Sequence, residues 1–184
     1  MQELRLPTKL GLLRVEVRGA GDAIVFWPSL LMTGGMWAAQ AQEFETDHRV
    51  ILVDPPGHGG SEKLFAPFTF TDCAHTVADI LDGVGVERAH FVGNSWGGMI
   101  GGTFAALHPD RIGRAVLMNC TASAAGRAQK FEYGLLLRLA RAFGGIRGPL
   151  TRADMTVLDG VAHLAALENP RLVNTLIRDF LARG

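Results

Sequence analysis

The sequence predicts an α/β fold, a mostly parallel sheet of about seven strands with helices on both faces and an antiparallel hairpin at its N-terminal end. Three observations carry that expectation. Short, wholly apolar runs at residues 23–27 and 50–53 suit strands that are covered on both faces. Segments with apolar residues at helical spacing separate these runs, so strand and helix alternate along the chain. Between an apolar run and a helical pattern stands Gly93-Asn94-Ser95-Trp96-Gly97, a serine between two glycines at a strand-to-helix reversal.

Residues 2–8 and 11–18 form the hairpin, with Leu13, Val15 and Val17 on one face and Arg14, Glu16 and Arg18 on the other. Gly19 to Asp22 is a turn into the strand at 23–27. A loop over 28–35 precedes a helix at 36–45, and residues 49–53 form the next buried strand. Asp54-Pro55-Pro56-Gly57-His58-Gly59-Gly60-Ser61 is a turn cluster. Asp72 can cap a helix that carries Val77, Ile80, Leu81 and Val84 on one side. A strand at 89–92 leads into the Gly-x-Ser-x-Gly turn, residues 99–107 continue it as a helix, and 115–118 form the strand after that.

The last third is less regular. Residues 128–143 place Phe131, Leu135, Leu139 and Phe143 at helical spacing, and Gly144 to Pro149 breaks the pattern. Four arginines and no acid fall between Tyr133 and Ala153, which suits a solvated basic helix face or a minimal lid with its linker over 128–150. Residues 155–158 form a last strand, and 159–163 the loop leaving it. Asn169 before Pro170 pairs a cap with proline at the first helical position. A closing helix then turns Leu172, Val173, Leu176, Ile177, Phe180 and Leu181 to one side.

At 184 residues the chain suits one domain with a single sizeable core, residues 1–184. Eighteen basic and eighteen acidic residues cancel, so no field favours nucleic acid or an anionic membrane. Cys73 and Cys120 lie far apart and outside metal-ligand spacing, which points to reduced thiols, a cytoplasmic setting and no metal. The first residues lack the layout of a signal peptide, and no apolar run is long enough to span a bilayer.

The serine in this turn has a bland reading and a chemical one. As the residue before a helix it can simply cap the helix N-terminus. In a reversal this sharp it is instead held strained and exposed, beside a helix end that favours developing negative charge.

With these residues in place the chain resembles the α/β-hydrolase family over nearly its whole length. Trp27-Pro28-Ser29-Leu30-Leu31 stands where that family usually has His-Gly and its oxyanion-hole residue, so Pro28-Ser29 is a departure. Asp54-x-x-Gly57-His58-Gly59-x-Ser61 matches the family's turn after the following strand. Gly93-Asn94-Ser95-Trp96-Gly97-Gly98 matches its nucleophile elbow, and residues 161–170 its histidine loop and final helix. The relatives it suggests are small esterases, enol-lactonases, C–C bond hydrolases and cofactor-free haloperoxidases.

The resemblance implies Ser95 as nucleophile, His163 as base, and the backbone N–H groups of Leu30 and Trp96 as the oxyanion hole, with no cofactor. His58 reads as a turn histidine rather than a catalyst, and His108 as structural. Trp27 and Trp96 line a pocket or simply pack. The family's cap, one strand and acid-bearing loop are missing between residues 118 and 155. Asp154 falls on the wrong edge of the sheet, Asp159 on the correct one, and Glu168 reads as a cap or turn carboxylate. Asp159 is the candidate if an acid acts. Four residues from it to His163 leave little chain to bring the carboxylate round to Nδ1, so the reading leans to a Ser–His pair with no acid or a weakly assisting one.

Three functional readings follow: a serine hydrolase of small carboxylic esters or lactones, a catalytically weak binding protein on the same fold, or a shortened form of a longer enzyme. A slot left open in the sheet would also favour a homodimer or larger oligomer.

Overall fold

The structure, a computed structural model, describes residues 1–64, 66–120 and 162–183, all within one compact unit. Strands β1 (Gln2–Thr8) and β2 (Gly11–Arg18) pair antiparallel from Gln2 opposite Val17 to Thr8 opposite Gly11. Alternation sets their faces: Leu13, Val15 and Val17 are buried, while Arg14 and Glu16 between them bond to Glu3 and Arg18. Strand β3 (Asp22–Trp27) lies between β4 (His48–Val53) and β5 (Ala89–Asn94), parallel to both. Strand β6 (Ile112–Met118) runs parallel to β5, and β2 joins β4 antiparallel. The six described strands are ordered β1-β2-β4-β3-β5-β6.

A seventh strand at 155–158 and the helix and lid over 128–150 fall outside the described residues, as does Asp159.

Register decides where chemistry can sit. Phe26 stands opposite Leu52 and Val92, Trp27 opposite Gly93, and Asn94 opposite Met118. The carboxyl ends of β4, β3, β5 and β6 therefore finish in line, at the edge where parallel sheets hold their ligands.

Both faces are covered, as the apolar runs require. Val25 and Trp27 face a core shared with Val77, Ile80 and Leu81 of α2 (Phe70–Gly83) and with Ile100 and Phe104 of α3 (Trp96–Leu107). Phe26, one residue along, turns the other way, its ring 5.3 Å from Trp37 and 6.2 Å from Phe44.

Several element ends depart from expectation, β6 beginning at Ile112 rather than at 115. The helix expected at 36–45 is a 3-10 turn, Gly34–Trp37, followed by α1 (Ala38–Phe44). Asp72 is not the cap of α2. Thr69 caps it, its hydroxyl receiving the Asp72 N–H at 3.2 Å while Asp72 Oδ2 receives the Thr69 N–H at 2.9 Å, a reciprocal capping box. Helix α3 begins at Trp96 rather than Met99, because β5 extends to Asn94 and a single residue makes the reversal.

A short helix α4 (Ala165–Glu168) precedes α5 (Pro170–Ala182), which Asn169 caps through the Leu172 N–H at 3.2 Å. α5 is anchored to α1 and the turn after it. Arg178 lies 4.9 Å over the Phe44 ring and bonds Asp47 at 2.7 Å and Glu43 at 3.1 Å. The Arg178 guanidinium, with help from His48 and Thr46, holds the Asp47 carboxyl down to about 2.

A carboxyl depressed in the folded state stabilises the protein above its unfolded pKa and loses that contribution as pH falls through the folded one. Stability from this anchor should drain away between about pH 4 and pH 2. Its size should be about 1 kcal/mol or less, since the two side chains are 38% and 48% exposed. Arg178→Ala should remove this contribution at neutral pH and flatten that part of the acid unfolding curve, followed by circular dichroism.

Candidate active site

Ser95 makes the whole turn between β5 and α3. Its backbone sits at φ 54°, ψ −114°, in the left-handed half of conformational space that side chains avoid. Such a conformation costs about 1–3 kcal/mol and persists only where neighbours enforce it. Here the Ser95 N–H donates to Met118 O of β6 at 2.8 Å, and its carbonyl receives the Met99 N–H at 3.2 Å.

The glycines on either side are required by space. A Cβ on Gly93 would lie 2.4 Å from Gly97 O, and one on Gly97 would lie 2.3 Å from Trp27 O and 2.7 Å from Pro28 O. The end of β3 therefore touches the first turn of α3 backbone to backbone.

The capping reading of Ser95 does not hold, since its side chain makes no cap hydrogen bond. The residue is half-buried, and among the described residues its hydroxyl has no partner. Trp96 is the first residue of α3, so its N–H lies outside the helix's own hydrogen-bond ladder.

Leu30 lies in a tight turn closed by Met32 N–H to Ser29 O at 3.1 Å, and its side chain is 55% exposed. Ser29 O is turned into that loop. The Leu30 N–H, trans to it across the same peptide plane, is directed out of the loop and is unbonded among the described residues.

His163 is brought to the elbow by its main chain. Its carbonyl receives Asn94 Nδ2 at 3.0 Å and Asn119 Nδ2 at 2.9 Å. Asn94 is fully buried and spends its remaining groups on Ser29 Oγ at 2.8 Å and on Asn119 Nδ2 at 2.9 Å. The Glu168 carboxylate holds the same segment from the other side, receiving the N–H groups of Ala162 at 2.6 Å and Leu164 at 3.1 Å. Glu168 is thus a turn carboxylate. Among the described residues no carboxylate pairs with the His163 ring.

The sequence reading missed Asn94, Asn119 and Ser29. Asn94 did carry a signal: an amide closing an apolar strand is buried, and a buried amide needs partners. Asn119 occupies φ 52°, a left-handed position that asparagine tolerates.

Asp54, at the end of β4, is 3% exposed and braces the neighbouring loops. Its Oδ1 receives the Gly34 N–H at 2.9 Å, and its Oδ2 receives the Gly60 N–H at 2.8 Å and faces Arg14 at 3.4 Å. His108 pairs with His75 at 3.1 Å, remote in role from the elbow. Rings gather on Trp96: Trp27 and Phe68 at 6.2 Å and His58 at 6.0 Å. Among the described residues no three His, Cys, Asp or Glu side chains group to hold a metal ion, and no helix is long and apolar enough to cross a membrane.

Two substitutions test this frame. Gly97→Ala forces a methyl group onto backbone that cannot give way, and should cost about 3 kcal/mol or more in chemical denaturation. Asn94→Ala removes the partner of the Ser29 hydroxyl and one donor to the His163 carbonyl, and should cost about 1–3 kcal/mol.

Comparison with known proteins identifies the fold's family. The family model described as alpha/beta hydrolase fold matches residues 22–183. The chain is 46% identical over 105 residues to a 2-hydroxy-6-oxononadienedioate/2-hydroxy-6-oxononatrienedioate hydrolase of Paraburkholderia phymatum, covering 56% of this chain and 34% of that protein. It is 38% identical over 89 residues to 3-oxoadipate enol-lactonase 1 of Acinetobacter baylyi, covering 47% of this chain and 33% of that one. The chain thus spans about a third of the length of these curated relatives. Among solved structures, naproxen esterase from Bacillus subtilis superposes with a TM-score of 0.76 over 98% of this chain and 91% of its own. At 17% identity that likeness speaks for the fold alone. The chain belongs to the α/β-hydrolase family.

Proposed function

We propose that this chain is a serine hydrolase acting on small carboxylic esters or lactones, with Ser95 as nucleophile and His163 as base. The observation that carries the reading is the tether between them. The residue preceding the strained serine holds the backbone of the histidine at 3.0 Å, so the two come to one place although 68 positions separate them in sequence.

In this reading His163 takes the proton from Ser95 as its oxygen attacks the carbonyl carbon. It later returns the proton to the leaving alkoxide, and water repeats the cycle on the acyl-enzyme. The tetrahedral oxyanion is received by the N–H groups of Trp96 and Leu30. The positive end of α3 and the two N–H groups act where charge develops, and they need no reorganisation at that moment. The rim suits a small apolar acyl group: Leu30 and Leu31 are exposed, and the Trp96 ring meets Phe68 edge-on at 6.2 Å.

Asp159 is proposed as the acid for Nδ1 of His163, four residues along the chain, with an acid-free pair as the alternative. The commitment of Glu168 to backbone N–H groups supports leaving it out of this role.

Hydrolysis of p-nitrophenyl acetate and butyrate, together with labelling by a fluorophosphonate probe, tests the assignment. Ser95→Ala should abolish both, and His163→Ala should lower kcat by about 10³-fold or more. Labelling that persists in Ser95→Ala would sink the proposal. With Asp159 as the acid, Asp159→Asn should cost up to about 10⁴-fold in kcat at nearly unchanged KM. A loss of less than about tenfold assigns the chemistry to the pair alone.

A further inference from the structure

His58 lies in the turn after β4 and takes no part in the chemistry above, yet its ring touches one residue proposed to supply an oxyanion donor and the chain neighbour of the other. On one side its ring is 6.0 Å from that of Trp96, at 33°. On the other its Nε2 is 3.2 Å from the backbone nitrogen of Leu31, the neighbour of Leu30. Nδ1 lies 2.9 Å from Pro56 O. A carbonyl oxygen only accepts, so Nδ1 carries the proton and Nε2 presents a lone pair. That lone pair is what the Leu31 N–H requires, and the two contacts fix one neutral tautomer.

The turn it holds is one that needs holding. Leu31 sits at φ 64° while Leu30 does not share the positive sign, a pattern whose third position normally carries glycine. A left-handed leucine costs roughly 1–2 kcal/mol. Leu31 also offers little packing in return, since its side chain is 82% exposed. Turns that differ in the sign of φ at this position differ by a flip of the central peptide, which carries the Leu30 carbonyl and the Leu31 N–H. A fixed acceptor for that N–H selects one of the two orientations and anchors the turn at Leu31, one residue from the Leu30 N–H.

The main chain that carries the His58 ring is itself held by hydrogen bonds. The His58 N–H donates to Pro55 O at 2.9 Å, its carbonyl receives the Ser61 N–H at 2.9 Å, and the Gly57 N–H reaches Glu62 O at 3.0 Å.

We infer that His58 is a positioning residue for the oxyanion hole: by accepting the Leu31 N–H and packing on Trp96, it holds the Leu30 and Trp96 donors in one geometry. The inference rests on the serine hydrolase reading for its effect on rate, but the latch itself is a structural statement that can be tested without catalysis.

Long-range ¹H–¹⁵N correlation spectra of the intact chain should show His58 protonated at Nδ1 and bare at Nε2. The Nε2–H tautomer would overturn the latch. In His58→Phe, which keeps a ring against Trp96 and removes the acceptor, the Leu31 amide should exchange with solvent about tenfold faster. Unchanged exchange would likewise overturn it.

In p-nitrophenyl butyrate hydrolysis His58→Phe should lose about 10–100-fold in kcat, less than the outright loss of an oxyanion donor, with KM within about threefold. His58→Gln, whose Oε1 reaches the place of Nε2, should recover to within about threefold of the parent. Equal losses in the two variants, a loss confined to KM, or a kcat loss below about threefold in His58→Phe would each reject the positioning role. Ser95→Ala measured in parallel separates the two failures. Full hydrolysis in that variant removes the serine hydrolase reading, while the tautomer and exchange measurements still judge the latch.

Discussion

The first turn of α3 approaches the ends of β3 and β5 more closely than any side chain at Gly93 or Gly97 would allow, and the rest of the carboxyl edge is arranged around that contact. Gly97 rests on the carbonyls of Trp27 and Pro28, and Gly93 on that of Gly97. Closing the reversal in one residue forces Ser95 into the left-handed region. The strain is offset by what the approach makes possible. Trp96 is driven to 8% exposure against Trp27, Phe68 and His58. Burying an aromatic side chain of roughly 150–250 Å² at about 25 cal/mol per Å² outweighs the backbone penalty. The same geometry leaves the serine hydroxyl without a partner among the described residues, at the N-terminal end of α3.

Two buried polar side chains make this edge a rigid frame. Asp54 ends β4 and Asn94 ends β5, and each is buried with its hydrogen-bonding groups directed at loops. Asp54 gathers the Gly34 and Gly60 N–H groups and Arg14, fixing the start of the 3-10 turn and the glycine turn together. Asn94 gathers Ser29, Asn119 and the carbonyl of His163. A polar group in an apolar sheet is tolerated only when satisfied, and each partner lost leaves an orphan that costs more than the bond itself contributed. The loops are therefore held by the penalty for letting go.

The architecture was legible where a pattern is local. Leu13, Val15 and Val17 alternate with charged residues, so the hairpin and its buried face follow from period two. Residues 23–27 and 50–53 are apolar throughout and proved covered on both sides. Asn169-Pro170 marked the start of α5 by the cap and the missing N–H. The cap of α2 was misplaced by three residues because Asp72 and Thr69 bond reciprocally, and sequence shows both polar residues without saying which one ends the extended chain. In the site, the elbow was legible because glycine, serine and glycine report backbone demands of their own. Asn94 was not, because its partners lie 65 and 69 positions away, and nothing within its neighbourhood in sequence announces them.

A backbone clamp and a ring partner do different work on a catalytic histidine. Asn94 and Asn119 grip the His163 carbonyl, and Glu168 grips the N–H groups on either side, so the main chain is located without reference to its imidazole. Location supplies proximity, the larger part of what an intramolecular base contributes. In the proposed reaction it would not choose which nitrogen carries the proton, nor stabilise an imidazolium formed as a serine gave up its own; those require an acceptor at Nδ1. In this fold the clamp is built from β5, the residue after β6 and α4, the strands joined by sheet register and α4 tied to the histidine segment through the Glu168 carboxylate. Placement of the His163 main chain is thus a property of the sheet and the loops bonded to it.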